Sequence, residues 1–164
     1  MFLIGLWTFL LGLIFVYLQV LIMPALSIFG VTPLILLPWL IYMVWNRDPG
    51  IALPVAFLIG LAYDTLNPST FGLHALIFSI LAILINVLRI PFEQDSIVAK
   101  LIAIGCSNLV HSLLSLLGLG IAWGFEPKLY RLSFGAFFYN LIFSLAIFAL
   151  MQGISRLRLV VVHE

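Results

Sequence analysis

Apolar residues run through this chain in long uncharged blocks, cut by short clusters of charge, Pro and Gly. A helix that crosses a bilayer needs about 20 largely apolar residues, and breaks fall where breakers and charges gather. The pattern predicts six spans, at approximately 2–23, 32–46, 51–66, 70–90, 97–122 and 132–155. Pro24 ends the first. The turn Asn46–Gly50 parts the second from the third. The polar stretch Arg89–Ser96 precedes the fifth, and Gly124–Arg131 precedes the sixth. Spans 2 and 3 are short: fifteen and sixteen residues at about 1.5 Å each fall well below a hydrocarbon core of about 30 Å. They are read as two true spans rather than a hairpin dipping in from one face. The first block, Phe2–Met23, has neither a basic leader nor a small-residue cleavage motif and is read as a retained helix.

Composition carries the same message. Of 164 residues, 65% are hydrophobic and 8% charged, and the mean hydropathy is +1.30. A soluble domain carries about a quarter charged residues, so the solvent for this chain is lipid. The expected fold is one all-α integral membrane domain over residues 1–164, a bundle of six transmembrane helices. With six spans, Arg47, Arg89, Lys100, Arg156 and Arg158 fall on one side, and Lys128 and Arg131 on the other. The excess of basic residues marks the cytoplasmic side, which places both termini in the cytoplasm. The net charge of +1 gives no basic block for nucleic acid, and the single Cys106 forms no internal disulfide. No Cys/His spacing suits a metal, and no cofactor is expected.

Helices in lipid associate through small residues and polar contacts. Ala52, Ala56, Gly60 and Asp64 recur every four residues along one ridge of span 3. The first three are candidates for packing another helix, from this chain or from a partner. Asn86 shares a face of span 4 with Ala75, Ser79 and Ala82. In span 5, Asn108 and Ser112 lie beside His111. In span 6, Asn140 lies between Ala136 and Ser144. These stripes read first as inner seams, with Asn86, Asn108, His111, Ser112 and Asn140 as a polar interior that also suits a small ligand. Neutral amides and hydroxyls do not make a proton pump, which needs ionisable residues in series. No nucleophile–base pair or phosphate loop is present and no span holds paired carboxylates, Glu93 and Asp95 lying in a loop, so no enzymatic activity is expected.

The stretch GLAYDTLNPSTFGLH, residues 60–74, holds the sole charge between Asp48 and Arg89. Asp64 ends span 3 near the head groups, where an acid costs far less than at the bilayer centre. Backbone N–H groups of the following turn and His74 are its expected partners. Ser69 or Thr70 is the expected N-cap of span 4.

Three features together resemble a known family: the six-span layout, a Pro-started second span (Thr32–Tyr42) before a short basic turn, and AFLIGLAYDTLNPSTFGLHAL (Ala56–Leu76). The last is similar to the hallmark of the rod-shape-determining MreD family. That hallmark has an aromatic, then Gly, then Asp, a small polar turn, and Gly followed by Ala-Leu. Phe57, Gly60, Asp64, Gly72, Ala75 and Leu76 fill these places, and Pro68 and His74 complete the structural motif. The chain departs at Leu34, where many members place an acid or amide after the proline. The resemblance implies a non-enzymatic scaffold of the bacterial elongation machinery in the inner membrane. It implies MreC as a direct partner, with MreB, RodA and a class B penicillin-binding transpeptidase in the same complex. It also implies a fold resembling the S components of energy-coupling-factor vitamin transporters. That likeness supplies a rival reading as a vitamin binder; a handler of lipid-linked intermediates is a third. The loop Arg89–Ser96 is the expected contact for MreB, and the tail Ser155–Glu164 is expected to fray.

Overall fold

A computed structural model describes residues 2–66, 68–92 and 96–161, the side chains of 151–161 excepted. Asn67, the acids Glu93 and Asp95 of the expected MreB-facing loop, and the side chains of Arg156, Arg158 and the rest of the tail lie outside the described residues.

The described residues form six helices: α1 (Phe2–Leu21), α2 (Leu36–Asn46), α3 (Pro49–Asp64), α4 (Leu73–Arg89), α5 (Ile97–Trp123) and α6 (Pro127–Val161). Their starts follow from local chemistry. Pro49 and Pro127 occupy first-turn positions, where a missing N–H costs nothing. Ser96 caps α5 by accepting a hydrogen bond from Ala99 N at 3.3 Å. Gly124, at φ +91° and ψ 153°, ends α5 in a backbone conformation open essentially to glycine alone. Helix α6 starts earlier than the expected 132 because Pro127 opens it, and its backbone stays helical to Val161, where fraying was expected.

Length and burial are ordered against each other. Helices α1, α5 and α6 are long and apolar enough to cross a membrane, and only 22%, 33% and 11% of their spanning windows are buried within the chain. The short helices lie inside. In α2 only Tyr42 and Asn46 are exposed, and this helix touches each of the other five. Being apolar on every side, α2 suits the centre of the bundle. Its neighbours in the core are Ile59 of α3, Ile77, Phe78, Leu81 and Ile85 of α4, and Ile104 of α5.

The shortness of span 2 has a structural reason. Eleven of its residues are helical, and non-helical chain at 31–34 precedes them. At about 3.3 Å per non-helical residue and 1.5 Å per helical one, the two parts reach about 30 Å. Non-helical backbone is tolerated at membrane depth where protein shields it. Pro33 and Leu34 are buried.

Candidate functional site

Asp64 is the last residue of α3, and no part of it is exposed. One carboxylate oxygen accepts from His74 N at 3.1 Å and lies 2.7 Å from His74 Nδ1. The other accepts from Ala75 N at 2.9 Å. An ionised carboxylate can only accept, so in that state Nδ1 carries the proton. The His74 ring is held further by edge contacts with Tyr63 and Phe78. His74 and Ala75 are the second and third residues of α4, the positions whose N–H groups lack an intrahelical acceptor. Asp64 therefore caps α4 from the end of α3. This corrects the expectation for Ser69 or Thr70: those residues lie in a 3₁₀ turn, Pro68–Thr70. The N-cap is Gly72 at φ +90°, with no side-chain cap of its own. Of the other motif residues, Phe57 is half-exposed and Pro68 is exposed.

Gly60 explains how the two helices come close enough for this. A Cβ built there meets Ala75 Cα at 2.5 Å, His74 O at 2.6 Å and Ala75 N at 2.7 Å. Those atoms are backbone and have nowhere to move. Ala52 and Ala56 continue the buried ridge, and α3 and α4 form the most extensive helix pair. Gly60 thus meets a neighbour from this chain.

A second set of polar contacts fixes α2 at both ends. The Gln19 side chain donates to Pro33 O at 3.0 Å and accepts from Ile35 N at 2.8 Å. Asn140 Oδ1 accepts from Leu34 N at 2.9 Å. At the other end, Arg89 Nη1 donates to Val44 O, Trp45 O and Arg47 O at 3.0, 3.2 and 2.9 Å. Sequence reasoning missed Gln19. Its signal was available, as an amide standing alone in an apolar run.

The remaining polar interior gathers where α5 faces α6. Ser107 Oγ, Asn108 Oδ1, His111 Nε2, Ser115 Oγ and Ser144 Oγ are buried and have no protein hydrogen-bond partner. The Asn108 amide donates to Ile104 O of its own helix at 2.9 Å. Beside this seam lies a cavity of about 260 Å³. His111, Ser112 and Asn140 line it together, as the sequence grouped them; Asn108 and Asn86 do not. Asn86 is half-buried on α4. Among the described residues, no group of three or more His, Cys, Asp or Glu side chains is placed to hold a metal.

Comparison with protein families decides the wider setting. The family described as rod shape-determining protein MreD matches residues 1–157. The chain belongs to the MreD family. Its role is in rod-shape determination, and its family is a structural membrane family associated with the rod-shape complex rather than a known enzyme family. The match takes in both the Asp64 corner and the seam between α5 and α6. No curated protein and no solved structure matches the chain.

Proposed function

We propose that this protein is a non-enzymatic scaffold of the elongation complex, binding MreC directly, with MreB, RodA and a class B penicillin-binding transpeptidase in the same complex. It acts as a multi-pass protein of the bacterial cytoplasmic membrane with both termini in the cytoplasm. The family match is the observation that carries this reading. The geometry supports it: Asp64, Arg89 and Gln19 are spent on holding helices together, a rigid frame rather than a set of reacting groups. The likeness to vitamin-transporter S components remains part of the proposal, supported by the six-helix layout with short inner helices.

The ridge of Ala52, Ala56 and Gly60 is covered by this chain's own helices, so we assign the MreC contact elsewhere. Between α1 and α3 runs an apolar groove of about 380 Å³, lined by Gly5, Phe9, Gly50, Ile51, Pro54 and Leu58 among others. Glycines let a second backbone approach closely. Pro54 has no N–H, so the Gly50 carbonyl lacks its usual intrahelical donor. A polar side chain on an apolar partner helix would satisfy it. The groove thus fits the single membrane span of MreC.

Two substitutions separate packing from docking. A Cβ at Gly50 meets nothing within 4 Å, so Gly50→Leu should leave the protein's accumulation intact and abolish co-purification with MreC. Gly60→Leu should instead abolish accumulation, because it forces α3 from α4. Undiminished MreC recovery with Gly50→Leu would remove the groove from consideration. Failure of the wild-type chain to recover MreC at all would sink the scaffold reading.

A further inference from the structure

The cavity between α5, α6 and the α1–α2 connection is not used by the MreC contact proposed above, and it shares only Asn140 with the contacts that fix α2. Its polar lining is Thr32, His111, Ser112, Ser115, Ser133 and Asn140. Its walls include Leu119, Leu129 and Leu132. Two of its polar groups are in an unusual state. His111 is only 8% exposed, yet its Nε2 has no protein partner, and Ser115 Oγ is likewise buried and unpartnered. Buried polar atoms are nearly always hydrogen-bonded, and leaving one unmet in a low-dielectric interior is costly. Asn140 uses its Oδ1 on Leu34 N, and its amide nitrogen has no hydrogen bond to this chain's atoms among those described. His111, Ser115 and Asn140 all belong to the cavity lining, so unpaired polar groups lie at or just behind its wall.

We propose that this cavity is a binding site for an uncharged, hydroxyl-rich ligand, either a free polyol or sugar or the head group of a neutral glycolipid. The chemistry of the lining selects the class. None of the described residues lining the cavity is Asp, Glu, Lys or Arg. A buried ion there would lack the paired charge that offsets its desolvation. Hydroxyls, an imidazole and an amide both donate and accept, which matches a ligand carrying several O–H groups. The volume corresponds to about nine waters at about 30 Å³ each, room for one small ring rather than a large cofactor. Leucine walls suit the carbon face of such a ring or the start of an attached chain.

One side of the cavity is formed by connecting chain rather than by helix. The chain at Gly30–Thr32 forms one wall. It belongs to a tight turn in which Ile28 and Val31 exchange backbone hydrogen bonds at 3.0 and 2.9 Å. The turn residues Phe29 and Gly30 both have positive φ, +52° and +81°. Tyr139 of α6 ties the same connection down by donating to Leu26 O at 2.6 Å. The connection that carries this wall is thus tied to α6, which itself contributes Leu129, Leu132, Ser133 and Asn140 to the lining.

The test uses the full-length protein purified in dodecyldimethylamine oxide, a detergent without hydroxyls. Its thermal unfolding midpoint is followed against glucose, octyl glucoside below its micellar concentration, and octyl phosphate. Binding to the folded state raises the midpoint by mass action. The expected result is a saturable rise of about 5 °C with glucose or octyl glucoside and none with octyl phosphate. A rise with glucose identifies a free sugar or polyol as the source. A rise with octyl glucoside alone identifies a lipid head group. Ser115→Ala and Ser133→Ala each remove one hydroxyl without adding volume, and each should weaken the apparent affinity about 10-fold. If neither glucose nor octyl glucoside gives a saturable shift, the proposal is wrong, whatever the variants do. An equal shift with octyl phosphate would overturn the uncharged class. Unchanged affinity in both serine variants would place the binding elsewhere. The scaffold reading is tested separately by MreC recovery, so either can fail alone.

Discussion

Asp64 terminates one helix and satisfies the first N–H groups of the next, and these two roles set what its replacement must cost. In Asp64→Leu, the N–H groups of His74 and Ala75 lose their acceptor inside the protein, at about 1–3 kcal/mol each. Asn keeps one accepting oxygen but presents an NH₂ group to the remaining donor. The expected order of unfolding midpoints is therefore wild type, then Asp64→Asn, then Asp64→Leu, with the Leu variant several kcal/mol less stable and unable to restore rod shape in cells lacking the native copy. A Leu variant as stable as the Asn variant would show that the carboxylate caps nothing. The isolated acid and its histidine partner were legible in the sequence, because a single charge in an apolar run demands compensation. The identity of the cap was not. Local rules look for a Ser or Thr at the helix start, and here the acceptor arrives from eleven residues upstream of Ala75. Gly60 makes that approach possible, and its role follows from backbone contact that no local pattern reveals.

At the level of elements, α2 is notable for being held by side chains from three other helices. Gln19 and Asn140 satisfy backbone groups at its start, and Arg89 gathers three carbonyls at its end. Hydrogen bonds to a charged group contribute about 1.5–3 kcal/mol. Arg89→Met keeps the apolar stem and removes the donors, so the last turn of α2 should fray. Amide hydrogen exchange at residues 42–46 should then quicken about 10-fold or more, with α5 unaffected. Unchanged exchange there would mean that the guanidinium contributes no net stability. The number of helices, their order and their approximate limits were visible as apolar blocks between breakers. The real length of span 4 was not. Residues 70–72, assigned to it by hydropathy, form the turn that lets Gly72 start α4. How much of span 2 is helical was hidden for a related reason: hydropathy measures apolarity and cannot distinguish a helix from a shielded non-helical segment leading into one.

Across the described residues, the helices long and apolar enough to cross a membrane are the least buried and the short ones fill the middle, so in a bilayer of ordinary thickness the centre would be built from pieces too short to span as helices. The proposed topology, with both termini in the cytoplasm, puts the α1–α2 turn outside and the α2–α3 turn inside. Phe29 is 95% exposed, so Phe29→Cys should react with a membrane-impermeant thiol reagent in intact cells, and Asn46→Cys only after lysis. The reverse pattern would invert the topology. The contact between Asn140 and Leu34 spans 106 residues of chain, and this separation reaches beyond stability into biogenesis. During synthesis the start of α2 leaves the ribosome long before its partner on α6 exists. An eleven-residue helix is below the length that settles into lipid unaided, and Leu34 N has no lipid-side acceptor to wait with. On the proposed topology the second crossing is therefore expected to be completed only when α6 arrives, so a helix made late decides how one made early is finished.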